Sequence, residues 1–313
     1  MKPAVIRESQ RLSGFEPDHL AGLIHGGRFE HYILTRARCD VRHERWLCGS
    51  FSIDVGRYSF PTRVLGVFAA DRFCLGYLRD FTAPTWVNGL EVGSNTLQFY
   101  PPGTDLNYRA APGAEWVAVE FTAAALQQAA RERLGCELEL TMTGMVNLEI
   151  PQGEFLGLDG MVRRLMGRKK DAETMIPPIL GAIAELLFHQ RAGSLGGLAS
   201  QRRHREHLLG RADLYLEENL GQPFDARALA AAIGTTERSL QRHFLDAYGI
   251  TPREWARCLA LHRARERLRT GNASRFSIEG IAHDCGFRHM GRFAGYYAEL
   301  FGELPSGTLA AGV

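Results

Sequence analysis

Two periodicities divide the chain. Up to Phe121, apolar positions recur at every second residue. In "RFCLGYL" (72–78) they are Phe73, Leu75 and Tyr77, and in "WVAVEF" (116–121) they are Val117, Val119 and Phe121. Successive side chains leave a strand on opposite faces, so this alternation predicts half-buried strands. Between them lie turn-forming stretches, "APTWVNG" (83–89), "YPPGTD" (100–105) and "APGAE" (111–115). Short strands with frequent Gly and Pro turns predict a small antiparallel barrel, with a sandwich as the other solution.

After Phe121 the spacing becomes helical. "TAAALQQAARERLG" (122–135) is rich in helix formers and ends in glycine. "GEFLGLDGMVRRLMGRKK" (153–170) and "PILGAIAELLFHQRAG" (178–193) follow. Their apolar positions, such as Leu180, Ile183, Leu187 and Phe188, suit either the barrel or a second subunit. "AGSLGGLASQRRHREH" (192–207) shifts from Gly/Ser-rich to basic and marks the domain boundary. Everything beyond it reads as helices with short polar breaks.

The last third contains a repeat. "FDARALAAAIGTTERSLQRHFLDAYGITP" (224–252) aligns with "FSIEGIAHDCGFRHMGRFAGYYAELFGELP" (276–305). Ala230 matches Ala282, Gly234 matches Gly286, Phe244 matches Tyr297, Gly249 matches Gly302 and Pro252 matches Pro305. The second copy has one extra residue between its turn glycine and the next buried position. Each copy has helix-turn-helix grammar. In the first, Asp225 caps a helix over 226–233, Ala230 permits a close crossing, and Gly234 supplies the turn. Thr236 caps a second helix that turns Leu240 and Phe244 inward. "TPRE" (251–254) then opens a connecting helix through a capping box of Thr251 and Glu254, with Pro252 in its first turn. That helix, running to about Arg269, is a rod roughly 25 Å long. Two reading heads on it would sit about one DNA turn, roughly 34 Å, apart.

Residues 205–309 resemble the DNA-binding domain of the AraC/XylS family of bacterial transcription regulators. The resemblance rests on the "AxxxG" steps, "SLQRHF", "GITPREW" and "IAHDCGFRHMGRFAGYYAELFGELP". It implies a cytoplasmic, sequence-specific regulator, often dimeric and often responsive to a small molecule. The resulting fold class is multidomain α+β. An N-terminal antiparallel β-barrel, cupin-like and flanked by helices, precedes a C-terminal all-α domain with two helix-turn-helix motifs. The predicted sensor and dimerisation domain is 1–195, with the barrel over 30–121 and helices over 122–193. A linker occupies 196–205. The DNA-binding domain is 206–313, with motifs at 226–247 and 278–300.

With Leu240 inward, a helix turning about 100° per residue carries Arg238 and Arg242 to its far side and Gln241 to the adjoining flank. Arginine pairs with both acceptors of a guanine edge and glutamine with an adenine edge. The candidate DNA-binding residues are Thr236, Arg238, Ser239, Gln241 and Arg242 in the first motif, and Arg288, His289 and Arg292 in the second. A solvated face is the alternative for Arg238 and Arg242. The second reading helix turns Gly291 and Gly295 outward, where family members more often carry polar side chains. That departure points to phosphate anchoring by Arg288 and Arg292. The arginines of the connecting helix, Arg257, Arg263, Arg265, Arg267 and Arg269, are assigned by default to a solvated face.

Composition adjusts this picture modestly. The chain has 313 residues, room for two domains, and a formal net charge of +2, so bulk charge alone does not mark a nucleic-acid partner. Its only lysines are Lys2, Lys169 and Lys170. Arginine suits phosphates and base edges better than lysine does, although a codon bias produces the same skew. The cysteines, Cys39, Cys48, Cys74, Cys136, Cys258 and Cys285, form no CxxC pair or zinc spacing, which fits reduced thiols in the cytoplasm. "MKPAVIRESQ" has no apolar signal core, and "MIPPILGAIAELLF" from Met175 is too short and proline-broken to span a membrane.

An effector site in the barrel is assigned to the aromatics Trp46, Tyr77, Trp86, Phe99 and Trp116; the alternative is that they are core. His19, His25, His31 and His43 are spread out, so neither a metal site, a cofactor nor a catalytic residue is predicted. The partners read from the chain are double-stranded DNA, a second copy through the helices of 153–193, a small-molecule effector, and RNA polymerase if the protein is an activator. Two rivals remain: a regulator controlled by a protein partner through 153–193, and a barrel enzyme fused to a DNA-binding module.

Overall fold

Strands numbered in chain order form two antiparallel sheets. The first runs β1 (Val5–Ser13), β3 (Asp40–Cys48), β4 (Phe51–Tyr58), β11 (Glu115–Phe121), β6 (Phe73–Leu78), β9 (Thr96–Tyr100) and β12 (Val146–Glu149). The second runs β2 (Gly27–Ile33), β5 (Thr62–Phe68), β10 (Asp105–Ala110), β7 (Trp86–Val87) and β8 (Leu90–Glu91). This is a computed structural model, and it describes residues 5–14, 20, 25–34, 39–80, 83–110, 112–140, 142, 144–167, 172–192, 198–270 and 277–311.

The predicted barrel over 30–121 is therefore corrected. Strand pairing begins at Val5 and ends at Glu149, and no ladder joins the two sheets among the described residues. The space between them closes through side chains instead. Phe29, Val64, Phe68 and Tyr108 of the second sheet share one core with Tyr58, Tyr100 and Trp116 of the first. The Phe68 and Tyr100 rings meet across it with centroids 4.4 Å apart. Packed inner faces of this kind define a sandwich.

The first sheet is also covered on its other side. Helices α1 (Ala123–Leu134), α2 (Gln152–Gly167) and α3 (Ile176–Ala192) follow β11 or β12 in sequence. Leu126, Phe155, Val162 and Ile183 from these helices pack with Trp46, Leu75, Phe99 and Val119. β6 and β11 are thus buried on both faces rather than half-buried, because they lie in the middle of three layers. α1 starts and stops where local chemistry dictates. Thr122 accepts from the Ala125 N–H at 3.3 Å, and Gly135 ends the helix in the left-handed conformation. On α3, Leu180, Ile183 and Leu187 are buried in this core and Phe188 is exposed.

Among the described residues seven further helices follow: α4 (Leu198–Glu218), α5 (Ala226–Ile233), α6 (Glu237–Tyr248), α7 (Pro252–Thr270), α8 (Ile278–Asp284), α9 (Met290–Phe301) and α10 (Pro305–Ala311). α4 already begins at Leu198, so the segment read as linker up to 205 is helical from that point. Its first residues, 196 and 197, lie outside the described residues, as does residue 193 of the predicted helix. No described helix is long and apolar enough to cross a membrane.

Candidate nucleic-acid interface

α5 and α6 form from short-range signals. Asp225 accepts from the Arg227 and Ala228 N–H groups at 2.8 and 3.1 Å, fixing the start of α5. Gly234 ends it at φ 74°, a conformation that an L side chain disfavours. The Thr236 hydroxyl then accepts from the Ser239 N–H at 3.2 Å, which starts α6. Ala230 is buried at the crossing, and Leu240, Phe244 and Tyr248 form the inner face of α6.

That packing determines what is left outside. Arg238, Gln241 and Arg242 are exposed together, with Thr236 at the helix start and Ser239 half-buried beside it. Neither arginine makes an ion pair among the described residues. Glu237 lies in the first turn, where the helix dipole favours a carboxylate. His243 is half-buried on the flank.

The second helix pair has the same inner grammar and a longer turn. Ser277 caps α8 by accepting from the Gly280 N–H at 3.0 Å. Ala282, Phe293 and Tyr297 are buried, matching Ala230, Leu240 and Phe244 in role. The extra residue of this copy lies between Asp284 and Met290, outside both helices. His289 is the N-cap of α9 but makes no side-chain capping bond. Arg288, His289 and Arg292 are exposed, as are Gly291 and Gly295.

α7 joins the two pairs. Its 19 residues span about 28 Å. Several arginines assigned by default to a solvated face do structural work there. The Arg257 guanidinium lies 4.4 Å from the Tyr296 ring centroid. Arg265 is buried, pairs with Glu303 at 2.9 Å and lies over Phe301. Arg267 pairs with Asp284 at 2.7 Å, which holds that guanidinium's pKa above its ordinary value. These three fasten the second helix pair and the C-terminal segment to α7. Arg263, paired with Glu266 along the helix, is mostly exposed.

The aromatics assigned to an effector are not brought together. Trp46, Tyr77 and Phe99 face the helical layer on the far side of the first sheet. Trp86 is half-buried on the short strand β7. Trp116 alone points between the sheets, stacked on His43 with centroids 6.0 Å apart. Alternation shows which residues share a strand face, but not what covers that face.

The sandwich interior instead gathers polar groups that the periodicity left unassigned. His31 Nε2 meets the Tyr58 hydroxyl at 2.9 Å. His31 Nδ1 and the Tyr108 hydroxyl are buried without a hydrogen-bond partner among the described residues. Burial pushes the His31 imidazole down to about 3, so it is neutral at physiological pH. Asp54 accepts from His43 and Arg45, each at 2.8 Å. Burial, followed by the neighbouring Asp54, pushes the Glu120 carboxyl up to about 8. Asp54 and Glu120 occupy the polar phase of the alternation, so the pattern alone reads them as solvated and does not disclose their burial.

Residues 229–311 match the family model described as "Helix-turn-helix domain". Over 95 residues the chain is 41% identical to the "XylDLEGF operon transcriptional activator" of Pseudomonas putida, covering 30% of each chain. It is 36% identical over 95 residues to the "Probable thc operon regulatory protein" of Rhodococcus erythropolis, covering 30% of this chain and 29% of that one. The chain thus spans under a third of the length of these relatives. Among solved structures, the DNA-binding domain of AdpA in complex with a target DNA is similar at 28% identity and a TM-score of 0.31. That match covers 34% of this chain and 91% of the other.

Proposed function

We propose, from the premise that the C-terminal third of this chain belongs to the AraC/XylS family, that the protein is a sequence-specific regulator of transcription. One observation carries the reading. The exposed Arg238, Gln241 and Arg242 occupy the outer face of a helix whose start, end and inner face are fixed by caps and packing. A preorganised face of this composition suits the donor and acceptor pattern of a major groove. α8 and α9 act as the second helix-turn-helix, and α7 sets the separation of the two heads. Thr236 and Ser239 position the first reading helix. Arg288, His289 and Arg292 anchor the second head on phosphates.

The division of labour follows the boundaries read from the sequence. Residues 1–195 sense and dimerise, and residues 206–313 bind DNA. Leu156 on α2 and Phe188 on α3 are exposed large apolar residues, which supports pairing of two copies through 153–193. The unpartnered polar atoms of His31 and Tyr108 support a small effector held between the sheets. RNA polymerase is a further partner if the protein activates. The protein acts as a regulator rather than an enzyme.

Selection of bound fragments from a random DNA pool tests the reading. The expected product is an enriched site with two boxes about one helical turn apart. A pool recovered without enrichment overturns it.

A further inference from the structure

Arg63 is fully buried, although it stands on β5 at the outer face of the second sheet. Its guanidinium lies against two rings, 3.9 Å from the centroid of Tyr248 and 3.9 Å from that of Trp255. Arg63 Nε donates to Asn107 Oδ1 at 2.9 Å, and Nη2 is ion-paired with Asp213. Asn107 Nδ2 lies 3.0 Å from both Asp213 Oδ2 and the Tyr248 hydroxyl. Trp255 Nε1 donates to the other Asp213 oxygen at 2.9 Å. Arg63 and Asn107 belong to the sensor sandwich. Asp213, Tyr248 and Trp255 belong to α4, α6 and α7, so the network grips the end of the first reading helix and the start of its supporting rod.

Two features make this contact a device rather than ordinary packing. A buried ion pair adds little stability over a well-packed apolar cluster of the same volume; its attested use is to fix register or to switch. The sheet that carries it is also a single wall between two compartments. His31, Val64 and Tyr108 are register partners and face the sandwich interior. Tyr32, Arg63 and Asn107 adjoin them in sequence and face the DNA-binding helices, where Tyr32 meets Trp255 edge-on at 5.5 Å. The buried orphan atoms of His31 and Tyr108 are therefore one residue from the groups that grip α6 and α7. Arg109, the register partner of Arg63, crowds a second guanidinium against the same helix end at Gly249.

We propose that Arg63, Asp213, Tyr248 and Trp255 form a releasable interdomain latch, whose grip on the first reading helix is set from the row His31–Val64–Tyr108 on the other side of the same sheet. The proposal rests on the regulator reading only for its purpose; its test involves no DNA. Arg63 is a positioning residue, since the exposed side chains of α6 lie on another face.

Cys258 supplies a native probe. Its thiol is buried at this interface, bonds to the Ile33 carbonyl at 3.3 Å and is pushed up to about 12 by burial. Cys48, buried against the helical layer, is the internal control. Labelling of the full chain with a thiol reagent, followed by mass spectrometry of each cysteine peptide, measures opening. Arg63→Gln and the isosteric Asp213→Asn are expected to speed labelling of Cys258 by about ten-fold or more, with Cys48 unchanged. Arg63→Lys, which keeps the charge but loses the flat stacked face, is expected to fall between. Val64→Ala on the inner row is expected to speed Cys258, whereas Val119→Ala, a cavity on the opposite face of the first sheet, is not. Unchanged Cys258 labelling in Asp213→Asn overturns the latch, as does a parallel rise at Cys48. Equal effects of Val64→Ala and Val119→Ala overturn its control from the inner row.

Discussion

Thr251 and Glu254 cap each other at the first turn of α7. The Glu254 carboxylate accepts from the Thr251 N–H at 2.7 Å and from its hydroxyl at 2.8 Å, while that hydroxyl accepts from the Glu254 N–H at 3.2 Å. These bonds hold the Glu254 carboxyl below its ordinary pKa. Loss of an N-cap side chain typically costs about 0.5–2 kcal/mol. Thr251→Ala is therefore expected to lower the denaturation midpoint without altering which DNA is chosen. Urea unfolding alongside binding to the selected site checks both halves.

Arg242→Ala removes an exposed side chain that has no ion pair or side-chain hydrogen bond among the described residues. Discrimination at one or two base positions should fall by about 1–3 kcal/mol, with the folded state unchanged. Competition against single-base variants of the selected site is the measurement. If the preference at every position survives, the α6 arginines belong to a solvated face.

Arg292→Ala addresses the other head. A phosphate anchor contributes similarly on any duplex, so affinity should fall by a similar factor on selected and random DNA, and the salt slope should drop by about 1. A loss confined to a few base pairs would give the second head a reading role instead.

Glu120 makes a prediction about pH. Its folded value, about 8, lies above the ordinary carboxyl value of 4.5, so the folded state holds a proton that the unfolded chain releases. Stability from this group is complete below the unfolded value. It falls as pH rises between the two values and levels off above the folded one. Glu120→Gln should flatten that fall, seen as a Tm that declines less from mildly acid to mildly alkaline pH. Identical Tm profiles for the two proteins would remove Glu120 as the cause.

The parts of this architecture that the sequence disclosed are the local ones. Asp225, Gly234, Thr236 and the Thr251–Glu254 pair act within four residues of themselves, so their roles are written in consecutive letters. The layering of the sensor half is not local. Trp46 and Trp116 look alike in an alternating strand, yet one faces helices and the other faces a second sheet. Arg63 was less visible still. It occupies an outward strand position that reads as solvated, and its carboxylate partner lies 150 positions away. Asp54 and Glu120 sit on the polar phase of the strand alternation and so read as solvated, yet both are buried because a second sheet covers that face.

An added Cβ at Gly291 or Gly295 meets nothing within 4 Å, so the fold itself has no use for glycine at either place. Each glycine costs about 0.8–1.0 kcal/mol of helix propensity relative to alanine. Gly295→Ala should accordingly raise the Tm, and a measured drop would locate a contact that the open space hides. The outer side of α9 thus carries an unused reserve of stability. Over that stretch a flat partner would meet main chain instead of side chains, and its distance from the helix axis would be set by the backbone cylinder, whose Cα radius is about 2.3 Å.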